Sequence, residues 1–343
     1  MGIIGRHSFE LCSRPRIISS ASYVGDKEGK GPLRECFDKI CRDDTLGLDS
    51  WEQAESRMFE SAVRVALAKI KRQSDDLSCL LGGDLLNQII SSGFAAREIR
   101  APFIGLYGAC STISEGLMLG GMLVDGGFAE LAACAASSHF SAAERQFRYP
   151  LEMGVQAVPS SQRTVTGAGS IIIQAAGEFR PGAGNVFEHV ALTGGTIGSV
   201  EDFGITDANN MGAAMAPAAF KTIKTHLSDY SRRVEDYDRI ITGDLGIFGS
   251  DMLYELLRGE GIEIADRHED CGKLMFSPEQ NVNCGASGCG CAATVMSSWF
   301  LPKIESGEIR RVLFLATGAL MSPVSSLQGE SIPSIAHAVV IEH

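Results

Sequence analysis

Continuous apolar runs alternate with one-faced helical stripes along the chain, and this pattern predicts an α/β protein. Residues 77–86, 131–137, 164–173, 237–246, 312–318 and 333–341 are runs of mainly apolar or small residues. Because they do not alternate with polar residues, they predict strands that are buried on both faces of a sheet. Between such runs, residues 50–70 place Ala54, Met58 and Ala62 on one helical face, which predicts an amphipathic helix.

Internal similarity predicts that these elements belong to two related halves. Residues 77–86 and 237–246 share an apolar run that ends in Gly-Asp-Leu, and residues 110–137 align with 291–318 without a gap. Residues 164–173 and 333–341 form a third pair in the same order. We expect the halves to span 1–185 and 186–343, each ordered strand, helix, strand, helix, strand, strand. Together they would form a five-layered α/β/α/β/α body, which resembles the thiolase fold.

Cys110 lies where the strand-like run "PFIGLYGA" gives way to a predicted helix. Free N–H groups at a helix start attract anions and lower the pKa of a thiol. Thiolases and ketoacyl synthases place their nucleophilic cysteine at this point of the first half, and the equivalent residue of the second half is Cys291. Cys110 is therefore either a nucleophile position or a small residue required where two central helices meet.

Charge and cysteine content exclude several classes of protein. A formal net charge of −12 argues against non-specific nucleic-acid binding, which needs clustered Lys and Arg. The ten cysteines follow no recognisable signal peptide, and "NCGASGCGC" lacks the paired spacing of a structural zinc site. We therefore expect buried thiols, no metal and no cofactor. No apolar run reaches the roughly 20 residues that a membrane-spanning helix needs.

Histidine is the usual partner of a condensing cysteine, because it stabilises the enolate of a thioester. The chain has seven histidines, and His139 in "SSHFSAAERQFRYP" follows the strand after the Cys110 helix. It is the best histidine candidate for ligand contact; the alternative is a hydrogen bond that fixes its loop.

Longer motifs resemble one family. These motifs are "LYGACST", "SSHFSAAERQFRYP", "TVTGAGS", "NNMGAAMAPAAF", "ITGDLG", "ASGCGC" and "QGESIPSIAHAVVIE", and the resemblance to the stage V sporulation protein AD family runs from about residue 6 to 343. It implies a thiolase-like protein that binds dipicolinic acid (pyridine-2,6-dicarboxylate), free or as its calcium chelate. It also implies that the protein acts with other SpoVA proteins, which together move this acid into the developing spore and release it at germination. The expected location is peripheral at the inner spore membrane, reached through partner proteins.

Transfer of the condensing-enzyme pattern places Cys110 at the nucleophile position and Gly243 and Asp244 where ketoacyl synthase III enzymes carry a catalytic histidine. Asp244 cannot act as a neutral imidazole donor, so the resemblance implies a broken catalytic set. The family pattern His-Ala-Gly-Gly is replaced here by residues 283–286, Asn-Cys-Gly-Ala, and Arg163 stands where the family has tryptophan.

The ligand contacts implied by the resemblance include the helix start at Ser111 and Thr112, which offers N–H groups to an anion. Arg145 and Arg148 offer bidentate carboxylate contacts, with a salt bridge to Glu144 or a solvated loop as alternatives. The remaining expected contacts are Cys110, His139, Asn210, Asp244, Asn283 and Ser287. For a calcium chelate, Asp202 or Asp244 would supply oxygen ligands.

Two alternatives to the hypothesis of a ligand-binding protein remain open. One is an acyltransferase or condensing enzyme that uses Cys110, and the other is a structural subunit with a vestigial pocket. In each case we expect a homodimer that pairs through the strand at 102–108, because an apolar edge strand left open is prone to aggregation.

Overall fold

The computed structural model describes residues 2–147, 158–180 and 184–343. Its strands are β1 (Gly2–Ile4), β2 (Ser8–Glu10), β3 (Arg16–Val24), β4 (Lys39–Ile40), β5 (Cys79–Gly83), β6 (Phe103–Gly105), β7 (Leu131–Ser138), β8 (Arg163–Thr164), β9 (Gly167–Gln174), β10 (Ala191–Thr196), β11 (Arg239–Thr242), β12 (His268–Asp270), β13 (Ala286–Ser287), β14 (Arg311–Ala319) and β15 (Ser334–Glu342).

The helices are α1 (Trp51–Lys69), α2 (Ile90–Ile99), α3 (Thr112–Asp125), α4 (Phe140–Phe147), α5 (Met211–Asp229), α6 (Gly246–Arg258), α7 (Cys271–Met275), α8 (Cys289–Val295), α9 (Leu301–Glu305) and α10 (Pro323–Leu327). A single wide turn at Met296–Phe300 joins α8 to α9. Within the described residues, no helix has the length and apolar character needed to cross a bilayer.

The strand order is symmetric about its centre. Ten strands follow the hydrogen-bonded path β12-β11-β14-β15-β10-β3-β9-β7-β5-β6, so that each strand on one side has a counterpart on the other. In one half β11 is parallel to β12 and β14, and in the other β5 is parallel to β6 and β7. The next pairs toward the centre, β14 with β15 and β7 with β9, are antiparallel. One residue pair, Ala191 with Arg16, joins β10 to β3. The mixed sheets and the duplicated halves therefore agree with the predicted fold class, while the boundary at residue 185 stays a prediction.

The helices form three layers around these two sheet halves. α1 and α2 pack together on the outer side of the first half, and α5 and α6 do so on the second. α3 and α8 lie between the halves, where α3 contacts β7 and β15 while α8 contacts β9 and β7. Cys110 directly precedes α3, and Cys291 lies in the first turn of α8.

The predicted order of elements omitted α2 and α6, one in each half. α2 reads "ISSGFAAREI", and its two serines and Gly93 leave only a weak apolar stripe. Its partner α6 begins at Gly246, directly after the Gly-Asp-Leu turn. Helices of this kind are stabilised by packing on a neighbouring helix more than by their own sequence pattern.

The halves meet through backbone atoms in near contact. A Cβ atom added to Gly318 would lie 2.0 Å from the carbonyl oxygen of Gly108. On the other side of the centre, a Cβ atom at Gly169 would lie 2.4 Å from the carbonyl of Ala293. Glycine is thus required at these positions by space, because no side chain fits between the two strands and the starts of the central helices.

We expect Gly318→Ala to lower the free energy of unfolding by about 1–3 kcal/mol, the usual cost of overfilling a packed core. The matched control is Gly93→Ala in α2, where an added Cβ meets nothing within 4 Å. This control should be neutral or slightly stabilising, because alanine favours a helix over glycine. Urea unfolding of both variants measures the difference, and equal midpoints would contradict the close packing of the halves.

Candidate functional site

Cys110 is held in a tight turn, Ala109–Ser111, immediately before α3. Ala109 has a positive φ of 50°, which is an uncommon conformation for a residue with a side chain. The hydroxyls of Ser111 and Thr112 stabilise the turn by donating to the carbonyls of Gly108 (2.6 Å) and Ala109 (2.7 Å). The turn therefore fixes Cys110 at the centre of the molecule, where it is only 7% exposed.

A buried polar chain runs from Cys110 to Asp244. The Cys110 Sγ lies 3.9 Å from the Ser287 Oγ, and Ser287 donates to the Asp244 Oδ2 at 2.9 Å. Asp244 also accepts from the Gly288 N–H at 2.9 Å and the Thr317 hydroxyl at 3.1 Å. Every one of these groups donates to Asp244, so its carboxyl oxygens act as hydrogen-bond acceptors on this side of the site.

Burial, together with the nearby charge of Asp244, raises the pKa of Cys110 well above its usual range. Burial also raises the pKa of Asp244 to about 7. The expectation that a helix start lowers the pKa of this thiol is therefore wrong, because burial and a facing carboxyl group outweigh the helix dipole. At neutral pH Cys110 is a protonated thiol and not a nucleophilic thiolate.

Asp270 fixes the turn that carries Asp244. Its carboxylate accepts from the Leu245 N–H at 2.8 Å and the Gly246 N–H at 3.0 Å. It also accepts from the Thr242 hydroxyl at 2.6 Å, at the end of β11. Gly246 has a φ of 65°, so the chain can reverse here without strain. Sequence reasoning missed Asp270, although its position at the end of a strand in "DRHEDCG" is a usable signal.

A cavity of about 50 Å³ opens beside Cys110. Its described lining residues are Leu85, Tyr107, Ala109, Cys110, Ala143, Glu144, Phe147, Thr164, Met211, Met215, Ser287, Ala319 and Met321. The wall is rich in thioether and aromatic groups, and Glu144 is the one charged residue in this set. Ligand pockets usually measure roughly 300–1,000 Å³, so a ligand would require the wall to move.

Two expected contact residues, Cys110 and Ser287, line the cavity, and Asp244 lies directly behind them. Parallel pairing of β13 with β8 brings Ser287 beside Thr164, which forms the adjoining wall. Ser111 and Thr112 are fully buried below it.

His139 is fully buried and does not belong to this lining set. Its Nε2 lies 2.8 Å from the Asp44 carbonyl oxygen, which is the loop-fixing hydrogen bond weighed as the alternative. Burial lowers the pKa of His139. Its imidazole is therefore neutral at neutral pH, and its Nε2 is bonded to the loop at Asp44.

Only one of the two arginine candidates, Arg145, lies within the described residues. Arg145 forms an ion pair with Glu52 rather than Glu144, and its guanidinium lies 5.2 Å from the centre of the Trp51 ring. Arg148 lies outside the described residues. Arg163, the departure from the family pattern, stacks on Phe140 at 3.6 Å.

The remaining candidates contact neighbouring loops and helices. Asn210 caps α5 by accepting from the Ala213 N–H at 3.3 Å. Asn283 donates to the Val158 carbonyl at 2.8 Å. Asp202 is exposed and accepts from the Gly204 N–H at 2.8 Å. None of these three belongs to the described cavity wall.

All ten cysteines are free thiols. Cys284, Cys289 and Cys291 diverge, because Cys284 accepts from the Phe248 N–H whereas the other two donate to the carbonyls of Ala109 and Gly243. Among the described residues, no three His, Cys, Asp or Glu side chains are grouped so that they could hold a metal ion.

A protein-family model described as stage V sporulation protein AD (SpoVAD) matches residues 5–342. The stage V sporulation protein AD of Bacillus subtilis (strain 168) is 43% identical over 343 residues, which cover 100% of this chain and 98% of that protein. The chain belongs to the SpoVAD family. The family resemblance inferred from the sequence motifs is thereby confirmed.

Solved structures similar to this SpoVAD-family chain share its fold. The 3-oxoacyl-[acyl-carrier-protein] synthase III of Aquifex aeolicus has a TM-score of 0.58 at 12% identity and covers 96% of this chain and 100% of its own. Human mitochondrial 3-ketoacyl-CoA thiolase has a TM-score of 0.59 at 10% identity, and the match covers 99% of this chain and 100% of the thiolase chain. An OleA variant of Xanthomonas campestris bound with cerulenin has a TM-score of 0.61 at 13% identity, with 99% and 98% covered. The thiolase-like fold class is therefore confirmed, while such low identity carries no activity over to this chain.

We expect Asp244→Asn to raise the rate of Cys110 alkylation by iodoacetamide at pH 8. Removing the facing charge lowers the pKa of the thiol, and each unit of pKa lowered increases the thiolate fraction about tenfold. Mass spectrometry of labelled peptides checks this, with exposed Cys12 as the reference thiol in the same chain.

Asp251→Asn, on the exposed face of α6, is the matched control and should leave the Cys110 rate unchanged. Circular dichroism must show that both variants are folded. Equal Cys110 rates in the two folded variants would contradict the role of Asp244 in suppressing the thiol.

Proposed function

We propose that this SpoVAD-family protein is a ligand-binding and not a condensing member of the thiolase-like fold. The ligand that the family resemblance implies is dipicolinate, and the proposed site is the cavity beside Cys110. The observation that carries the proposal is the chain from Cys110 through Ser287 to Asp244. It keeps the thiol protonated and offers hydrogen-bonding groups to a ligand.

The acyltransferase alternative has less support. Condensation requires a thiolate and donors that stabilise an enolate. Burial beside Asp244 opposes the thiolate, and no histidine is present among the described lining residues. Asp244 accepts hydrogen bonds at the place where such a reaction needs a donor. The enzymes that share the fold therefore support the architecture more than the reaction.

Charge favours the calcium chelate of dipicolinate over the free dianion. The described cavity wall contains the Glu144 carboxylate and no Lys or Arg, and buried Asp244 lies close behind it. A free dianion would add two negative charges to a protein whose formal net charge is already −12. A neutral one-to-one chelate avoids this repulsion, and its calcium ion favours additional oxygen ligands. We assign that contact to Glu144, in place of exposed Asp202.

The cavity must expand to admit such a ligand. Met211, Met215 and Met321 form much of the wall. Methionine is unbranched and has three rotatable bonds, so it can change shape at little cost. A flat aromatic ring would then pack against thioether groups and the Tyr107 and Phe147 rings, while its polar edge faces Ser287.

Calorimetry tests the ligand and its form. We expect heat of binding with dipicolinate plus calcium, and at least tenfold weaker binding with dipicolinate and a chelator. Glu144→Gln should remove most of this calcium dependence, because it removes the anionic oxygen ligand. Exposed Glu130→Gln is the matched control and should bind like the natural protein. Absence of binding in both conditions would contradict the proposed ligand, and equal binding would contradict the chelate.

We also propose that the protein forms a homodimer through β6 and reaches the inner spore membrane through other SpoVA proteins. β6 is the end strand of its sheet half, and Ile104 on it is 41% exposed. Pairing β6 with its two-fold copy would satisfy the open edge and cover this side chain.

Light scattering at micromolar concentration should give a dimer mass for the natural protein and a monomer mass for Ile104→Lys. The new charge would be buried without a partner in the paired edge. Phe128→Lys adds the same charge at a side chain that is 82% exposed in the loop between α3 and β7, outside β6, and should leave the dimer intact. A monomeric natural protein, or a dimeric Ile104→Lys variant, would refute pairing through β6.

A further inference from the structure

Two neighbouring segments, residues 197–210 and 320–334, form one surface of the second half. Glu201 and Ser334 exchange two backbone hydrogen bonds at 2.9 and 2.8 Å. The Ile332 N–H donates to the Ile205 carbonyl at 2.7 Å. These bonds hold the two segments side by side, and we call the surface that they form the 200/327 surface.

This surface exposes large apolar side chains that the fold does not use. They are Ile197 (47% exposed), Val200 (57%), Phe203 (50%), Val324 (63%) and Leu327 (88%). Val324 and Leu327 are three residues apart on α10, so they share one helical face. Single exposed apolar residues are ordinary, but a concentration of them on two joined segments is typical of an interaction site.

Acidic residues lie among these apolar side chains along the two segments. The two segments contain Glu201, Asp202, Asp207 and Glu330, and neither contains Lys or Arg. Asp202, Asp207 and Glu330 are exposed. The surface therefore combines an apolar area with a rim of one sign of charge.

The inner side of the same segments reaches the cavity beside Cys110. Ile205, Ile332 and Met321 pack in one small cluster with Met211 and Ala319. Four members of that cluster, Phe147, Met211, Ala319 and Met321, also line the cavity. A partner bound on the outer side would thus press on the residues that must move when the cavity opens.

We propose that the 200/327 surface binds an amphipathic helical segment of another protein, whose apolar face is flanked by Lys or Arg. Charge complementarity selects this occupant. A second copy would bring the same carboxylates face to face, and like charges across an interface oppose association. An anionic lipid surface is disfavoured for the same reason. A basic amphipathic helix satisfies both the apolar area and the acidic rim.

The test uses labelled helical peptides of ~18 residues, about five turns, built from Leu and Lys. A scrambled peptide of the same composition and a Leu/Glu amphipathic peptide are the comparison probes. Fluorescence anisotropy should show that the Leu/Lys amphipathic peptide binds at least tenfold tighter than either. Binding should weaken as salt is added, because the charges at the rim are exposed.

Leu327→Asp should weaken binding of the Leu/Lys peptide at least tenfold. The matched control is Phe128→Asp, which adds the same charge at an exposed apolar residue far along the chain. Because this control also raises the net negative charge, it separates docking on the surface from non-specific attraction of the basic peptide.

Several outcomes would overturn the proposal. Equal peptide affinities of Leu327→Asp and Phe128→Asp would show non-specific attraction. Self-association that Leu327→Asp abolishes would assign the surface to a second copy. Binding of the natural protein, but not Leu327→Asp, to vesicles of phosphatidylglycerol would assign it to a membrane. None of these readouts depends on dipicolinate, so they stand or fall separately from the ligand proposed for the cavity.

Discussion

The close approach of backbone to backbone at the centre of the molecule is the constraint on which the site depends. Gly318 faces the Gly108 carbonyl so closely that even one methyl group would not fit. The adjoining turn must therefore be compact, and Ala109 adopts its positive φ within it. The consequence is that Cys110 lies in a water-poor position where the two halves meet. Burial of a thiol in such a position raises its pKa, whatever the helix behind it contributes.

Asp244 determines what this buried cysteine can do. A neutral imidazole at the same place would donate a hydrogen bond, whereas the carboxylate accepts from Ser287, Gly288 and Thr317. The network is fully satisfied, which makes it a stable part of the core, but it stabilises the wrong protonation state for nucleophilic attack. The thiolase-like fold is thus retained, while the electrostatics around Cys110 disfavour a thiolate. Asp270 supports this arrangement because it fixes the turn on which Asp244 lies.

The formal charge of −12 opposes the approach of an anionic ligand to the protein as a whole. The same charge favours cationic partners, and the two segments of the 200/327 surface carry four acidic residues and no Lys or Arg. The residues between that surface and the cavity include Met211 and Met321, whose unbranched side chains adapt readily. A ligand and a protein partner could therefore influence each other through a few adaptable contacts.

The sequence by itself determined the duplication, the layered α/β architecture and the family. These depend on extended motifs and on the periodic pattern of apolar residues, which any fold of this chain must bury. The resemblance to condensing enzymes also placed Cys110 at the nucleophile position and Asp244 where those enzymes carry a catalytic histidine. Tertiary structure alone decided which polar groups meet. His139 and Arg145 occupy suitable loops in the sequence, but His139 bonds to Asp44 and Arg145 pairs with Glu52, residues nearly a hundred positions away.

Ser287 reaches Cys110 because β13 pairs with β8, and Asp270 reaches the Asp244 turn because β12 pairs with β11. The pKa of Cys110 follows from burial, and burial is a property of the packed halves that no local pattern encodes.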